Sequence, residues 1–186
     1  MPIVPSEWNL RYARWVIDDG EPDRGVGESF EWFAIEFWSE SGLALAKAAN
    51  ETTATPVADF RYCVTAKITH LSAKAAVIDF GLTAIGPRDL LPPECSDGDY
   101  VTGDVVIGLP LCTDVVPEEV LQTLKRTWHV NRISADLTPY ISHPDDPTGR
   151  WQIQDMSRMR YEQVSSTDSV ITHSYVLHCS EGSMTA

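Results

Sequence analysis

Apolar and polar residues alternate along much of the chain, and a two-residue period is typical of half-buried β-strands. The alternation is clearest over 30–40 and recurs at 59–68, where the apolar members are Phe60, Tyr62, Val64, Ala66 and Ile68. Shorter segments of the same character follow at 75–85, 100–107, 128–133, 170–171 and 175–179. The pattern predicts a mainly β fold.

The first fifty residues predict a Trp-rich β-hairpin. Trp8, Leu10 and Tyr12 alternate with polar residues and lead into the apolar segment 15–17. Residues 18–25, rich in Asp, Gly and Pro, would form a turn before a second strand over 30–40. Four of the six tryptophans lie in this region: Trp8, Trp15, Trp32 and Trp38.

Helical signals are few. Pro117, followed by Glu118 and Glu119, is typical of a first helical turn, and the apolar residues of 120–124 share one face. This predicts one short helix ending near Arg126. A second segment, 43–50, is compatible with another short helix.

These elements predict one domain over residues 1–186. It would contain the Trp-rich hairpin at 1–50, a barrel-like core at 59–110, and a helix with closing strands at 117–186. At this length a chain buries roughly 70% of its unfolded surface, so a substantial core is expected without disulfides.

The charge balance narrows the choice of partner. Fourteen Lys and Arg face 27 Asp and Glu, which gives a formal net charge of −13. The acidic excess extends over the whole length, so no single tail accounts for it. Such a surface repels nucleic acid and anionic membranes and favours a basic protein partner.

The start of the chain and its hydropathy indicate a cytoplasmic protein without membrane association. Residues 1–8 contain no basic segment followed by an apolar one, unlike a secretory signal. The longest weakly polar stretches, such as 43–49 and 105–116, are far shorter than the ~20 apolar residues of a membrane-spanning helix.

Residues 64–107 resemble part of an OB-fold β-barrel of the kind found in ribosomal RNA-binding modules. The matching positions are Val64, Ala66, Ile68, Ala76, Val77, Asp79, Gly81, Ile85, Gly86, Leu90, Gly98, Asp99, Val101, Gly103 and Val105. The resemblance implies an OB-like or related small barrel, in which glycines permit sharply coiled strands.

The same resemblance implies oligonucleotide binding through aromatic side chains and a basic groove. Between residues 59 and 110 the basic residues are Arg61, Lys67, Lys74 and Arg88, and carboxylates outnumber them. The net negative charge of this segment would therefore repel phosphate. Oligonucleotide binding remains an alternative, and nucleic acid is not the expected partner.

We predict the partner-binding site among the N-terminal aromatic and acidic residues, because Trp is enriched at interface hot spots. The candidates are Trp8, Trp15, Glu31, Trp32, Glu36 and Trp38. The alternative interpretation is that these tryptophans close a hydrophobic core.

The cysteines lack the spacing of a zinc ribbon or a thioredoxin-like motif. They are Cys63, Cys95, Cys112 and Cys179. Buried, reduced thiols are expected, and Cys95, in the turn-rich segment 92–98, is the candidate for exposure.

Other polar residues do not form a recognisable site. Four aspartates lack the ligand spacing of a calcium loop: Asp79, Asp97, Asp99 and Asp104. His143 lies with Asp145 and Asp146 in a loop, where a solvated turn is the expected role. His173 and His178 are expected on opposite faces of a strand.

No catalytic, cofactor or metal site is therefore predicted. The leading function is a non-catalytic protein-interaction module, of which an acidic immunity-type inhibitor of a basic enzyme would be an example. The alternatives are an oligonucleotide-binding OB-fold protein and a hydrolase whose site is assembled from distant residues, such as Cys179 with His129.

Overall fold

The structure, a computed structural model, describes residues 5–109, 118–146 and 148–182. Strands make up 49% of the described residues and helices 10%, which confirms the mainly β fold class. The described strands are β1 (Trp8–Ala13), β2 (Ser29–Trp32), β3 (Ile35–Trp38), β4 (Ala44–Leu45), β5 (Thr53–Ala58), β6 (Arg61–Leu71), β7 (Ala75–Asp79), β8 (Thr83–Pro87), β9 (Tyr100–Gly108), β10 (Arg126–Asp136), β11 (Tyr140–Ser142), β12 (Gln152–Gln154), β13 (Tyr161–Val164) and β14 (Ser174–Glu181). The described helices are α1 (Arg14–Asp18) and α2 (Glu118–Leu124), with 3₁₀ turns at Arg88–Leu90 and Met156–Arg158.

Five strands close into a β-barrel. β6 pairs with β7, β7 with β8, β8 with β3, β3 with β9, and β9 returns to β6. The β3–β8 contact is parallel and the other four are antiparallel. The ring is compatible with an OB-like small barrel. Four of its strands come from the predicted barrel-like core, and β3 comes from the N-terminal region.

The barrel interior follows the alternation of the sequence. In β6, Tyr62, Val64, Ala66 and Ile68 are buried to 1% exposure or less, while their neighbours are more accessible. Phe37 of β3 fills the space beside Gly86, where a Cβ atom would lie 2.6 Å from the Phe37 ring. A larger residue at Gly86 would therefore displace the aromatic ring from the core.

A second group of strands continues from the barrel. β1 meets β9 in parallel where Arg11 lies opposite Gly108. β14 then pairs with β1, and β10 pairs with β14. On the edge of β10 away from β14, residues 126–129 pair with β2 and residues 133–136 pair with β13. The shared core therefore extends from the barrel under these strands.

The predicted N-terminal hairpin is wrong. β1 pairs with the C-terminal strand β14, with Trp8 opposite Cys179, and β2 pairs with β10. The predicted second strand is also two strands, because the alternation changes phase where Ala34 and Ile35 are both buried. The break sends β2 and β3 to different parts of the sheet.

The predicted helices and strands differ from the described ones at three further places. Residues 15–17, expected as strand, lie in α1, and 43–50, compatible with a helix, contain the short strand β4. α2 matches the predicted helix, although Pro117 lies outside the described residues. Residues 75–85 are not one strand, since Gly81, with a φ of +93°, forms a tight turn between β7 and β8.

β11 and β12 form a separate two-stranded sheet. It attaches through Asp136, whose carboxylate accepts hydrogen bonds from the side chain of Gln154 at 2.7 Å and the backbone of Thr138 at 2.9 Å. In the described part of the chain, neither helix has the length and apolarity needed to cross a membrane.

Candidate functional site

A groove lies at the seam where β9 leaves the barrel to meet β1. It has a volume of about 100 Å³. β9 contributes its floor, and the lining residues used below are Arg11, Trp15, Glu36, Trp38 and Gly108. We call this the seam groove. Three of the six predicted partner-binding residues, Trp15, Glu36 and Trp38, therefore lie together.

The two groove tryptophans are held from different elements. Trp15 projects from α1, whose inner residue Val16 is 1% exposed and anchors the helix to the core. Trp38 ends β3, where Ile35 and Phe37 point inward and leave position 38 outside. The indoles of Trp15 and Trp38 are 53% and 52% exposed. Each is fixed by a buried neighbour while its own surface remains accessible.

Glu36 lies on the same outward face of β3 as Trp38. The surrounding groove partly desolvates its carboxyl group, which raises its pKa. Among the described residues it makes no ion pair. Arg11 lines the same groove, but its guanidinium lies 5.8 Å from the Phe60 ring centroid and makes no salt bridge with Glu36.

A second cavity of about 180 Å³ lies on the other side of Trp38. Its polar lining includes Glu40, Arg61 and Asp104. Glu40 and Arg61 form an exposed ion pair at 3.3 Å, which solvent and salt weaken. Trp38 therefore lines both the seam groove and this second cavity.

The other three predicted site residues lie elsewhere. Trp8 is 3% exposed and packs in the core with Tyr62 and Phe80. Trp32 is half-buried at the end of β2, and Glu31 binds Lys125 in an ion pair at 2.6 Å. The core interpretation is confirmed for Trp8, whereas Trp15 and Trp38 lie on the surface, where partner binding stays a prediction.

The cysteines give a mixed result. Cys63 is exposed, whereas Cys95 and Cys179 are buried, so the expected exposure of Cys95 is wrong. Cys112 lies outside the described residues. Burial raises the pKa of Cys179 to about 12, which keeps the thiol protonated at neutral pH.

The suggested Cys179 and His129 pair does not form. Cys179 lies opposite Val130 and faces the core. His129 adjoins Val130 in β10 and therefore points to the opposite face of the sheet. There its Nδ1 lies 3.1 Å from Ser29 Oγ.

The histidine and aspartate clusters are structural where they are described. His143 stacks on Trp151 with ring centroids 3.6 Å apart, and its Nδ1 accepts a hydrogen bond from the Asp145 backbone. Asp146 caps the same turn, and hydrogen bonds from Thr148 and the backbone lower its pKa to about 2. Within residues 5–109, 118–146 and 148–182, no three metal-ligating side chains converge.

His178 is the centre of a cluster that sequence reasoning missed. Its Nε2 lies 3.0 Å from Ser134 Oγ and its Nδ1 lies 2.7 Å from Asn9 Oδ1. Burial, with a smaller effect of the nearby Arg132 guanidinium, lowers the pKa of His178. Neither Ser134 nor His178 lines the seam groove or the cavity beside it. The cluster joins β1, β10 and β14 through a neutral imidazole.

Comparison with known proteins finds no matching family model, no matching curated protein and no matching solved structure. What the protein binds must therefore be inferred from its own residues.

Proposed function

We propose that this protein is a non-catalytic protein-interaction module whose seam groove binds a basic segment of a partner protein. An acidic immunity-type inhibitor of a basic enzyme is one protein class that fits this activity. The small barrel, which we propose to be OB-like, serves as the scaffold that fixes β3 and the floor of the groove.

The observation that carries the proposal is that Glu36 lines one groove with two exposed indoles and makes no ion pair among the described residues. A Lys or Arg side chain entering this groove would pack its aliphatic stem on Trp15 and Trp38. Its charge would reach Glu36, and cation–π contact with the indoles would add to the attraction. The net charge of −13 would steer a basic partner to the protein.

The same features disfavour an oligonucleotide in this groove. A phosphate approaching the indoles would meet an unpaired carboxylate in a partly desolvated setting. Trp15 and Trp38 offer stacking surfaces that bases also use. Although Arg11 also lines the groove, the charge of Glu36 supports a cationic ligand over an anionic one.

A site-specific photo-crosslinker tests the proposal in the source cells. The probe replaces Trp38, and a matched control places it at Val57, which is similarly exposed but lies on β5. We expect a discrete protein adduct from position 38 that is absent from position 57. The same probe in a Glu36→Lys background should lose the adduct, because the new charge repels a basic partner. An adduct that is insensitive to Glu36→Lys, or none at position 38, contradicts the proposal.

A further inference from the structure

The β11–β12 hairpin, which we call the arm, has one face against the rest of the protein and one face in solvent. Tyr140 and Gln154 lie opposite each other and share the inner face. Gln154 binds Asp136, and the Tyr140 ring lies 4.4 Å from the His173 ring. An isolated two-stranded sheet is marginally stable in water, so these contacts are needed to hold the arm.

The outer face of the arm is apolar. Ile141 pairs with Ile153, and His143 lies opposite Trp151, with its backbone N–H donating to the Trp151 carbonyl at 2.8 Å. Because side chains alternate along a strand, these four residues share the outer face. Trp151 is 57% exposed and Ile141 is 42% exposed. Monomeric proteins rarely leave a contiguous apolar patch of this kind uncovered.

Two exposed methionines follow the arm in the sequence. Met156 and Met159, in and after the 3₁₀ turn that follows β12, are 62% and 42% exposed. Methionine adapts its shape to a partner surface at small cost. Four large exposed apolar side chains therefore lie within one short stretch of chain, two of them on the outer face of the arm.

The local charge identifies what covers this face. Residues 140–160 contain three carboxylates, Asp145, Asp146 and Asp155, and three arginines, Arg150, Arg158 and Arg160. The segment is therefore neutral in a chain of net charge −13, and two copies can approach here without the repulsion that acts over the rest of the surface.

The charges at the end of the arm are also self-complementary. Asp145 and Arg150 are exposed and flank the turn between β11 and β12. A two-fold arrangement of the outer faces would allow Asp145 of one copy to pair with Arg150 of the other, twice. A strongly basic partner, by contrast, would find no net negative charge at this surface.

We propose that the outer face of the arm binds the same face of a second copy and forms a symmetric dimer. The patch is small beside the roughly 800 Å² per partner of a standard interface, so the dimer is reversible. We expect a dissociation constant on the order of 10–100 µM. The dimer would leave both seam grooves free, since Trp15 and Trp38 take no part in it.

Analytical ultracentrifugation of the purified chain, from about 5 to about 500 µM, tests the dimer. We expect a shift from monomer to dimer across this range. Trp151→Ser should remain monomeric, whereas the control Trp38→Ser, which removes an equally exposed indole from the seam groove, should associate as the wild type does. Circular dichroism melting of each variant establishes that the arm substitution leaves the fold intact.

A charge swap tests the two-fold arrangement. Asp145→Arg and Arg150→Asp should each weaken the dimer, by about tenfold, and the double variant should recover it, because the pairs are restored in opposite sense. A wild-type chain that stays monomeric at about 500 µM overturns the proposal. So does a dimer that Trp151→Ser does not affect, which would place the interface elsewhere.

Discussion

Trp15 and Trp38 line one groove although they belong to different elements, α1 and β3. Each is about half exposed, and each follows or precedes a residue that is fully buried. Trp8 and Trp128, by comparison, are 3% and 1% exposed in the core. The chain thus uses the same residue type for core packing and for an accessible surface.

This difference in burial predicts that substitutions of these tryptophans will lower the free energy of unfolding by different amounts. Trp8→Ala should lower the free energy of unfolding by about 3–5 kcal/mol, because it leaves a cavity beside Tyr62 and Phe80. Trp15→Ala and Trp38→Ala should change it by only about 0.5 kcal/mol, since their indoles remain largely solvated. Urea unfolding followed by circular dichroism measures all three. Equal losses for Trp8 and Trp38 would show that Trp38 is part of the core.

Glu36→Gln should keep or slightly raise stability at neutral pH. Partial burial raises the pKa of Glu36 in the folded state, so the folded protein binds a proton more tightly than the unfolded chain. Stability is therefore lost as pH rises through the interval between the ordinary and the raised pKa. The glutamine variant avoids that loss, with a gain of at most a few degrees in Tm.

Melting temperatures of the wild type and Glu36→Gln at about pH 4 and about pH 8 measure this difference. The two proteins should converge at the lower pH, where the wild-type carboxyl group is protonated. Binding of a basic partner should meanwhile weaken by about tenfold in the variant. A variant that is less stable than the wild type only at high pH would mean that Glu36 has a cationic partner within the protein.

The alternation of the sequence predicts which residues face inward but not which strand lies beside which. It therefore predicts β6 correctly, whereas β14 was predicted from its β-rich composition, because six consecutive residues of this strand are buried. It does not show that β1 pairs with β14 from the other end of the chain, because any strand with the same period would satisfy the pattern. The five residues of α1 are also too few to establish a helical period, so Trp15 was expected in a strand.

His178 should make the protein less stable in mild acid. Burial lowers its pKa below the ordinary value of 6.5, so the unfolded chain binds the proton more tightly. Stability is then complete above the ordinary pKa and is lost as pH falls through the interval down to the folded value. Unfolding free energies between about pH 7 and about pH 5 should fall less for His178→Gln than for the wild type.

Replacing Glu28 should lower the free energy of unfolding more than replacing an exposed member of an ion pair. The buried guanidinium of Arg24 lies 2.8 Å from Glu28 and 4.2 Å from the Phe30 ring centroid. Glu28→Gln leaves that charge with only the longer contact to Glu21, at 3.9 Å, and should cost about 2 kcal/mol. The control Glu181→Gln, which breaks the more exposed ion pair with Arg126 at 3.0 Å, should cost less than about 1 kcal/mol. Similar losses in urea unfolding would contradict the importance of burial.

Only part of the candidate site could be predicted from the sequence. Trp15, Glu36 and Trp38 could be selected from their residue types and their place in an acidic, aromatic segment. Arg11 and Gly108, which complete the groove, carry no such signal, because the groove exists only where β1 meets β9. Which tryptophans stay exposed also depends on tertiary packing, and so the sequence grouped Trp8 with Trp15 and Trp38.

The most direct test of the binding proposal is a nuclear magnetic resonance titration that follows the indole N–H signals of the six tryptophans. The probe is a lysine-rich peptide, and its control is the same peptide with every lysine replaced by glutamine. The proposal predicts saturable shifts of the Trp15 and Trp38 signals with the lysine peptide, while the Trp8 and Trp128 signals stay in place. Equal shifts with the glutamine peptide, or no saturable shift at Trp15 and Trp38, would contradict a groove that binds basic segments.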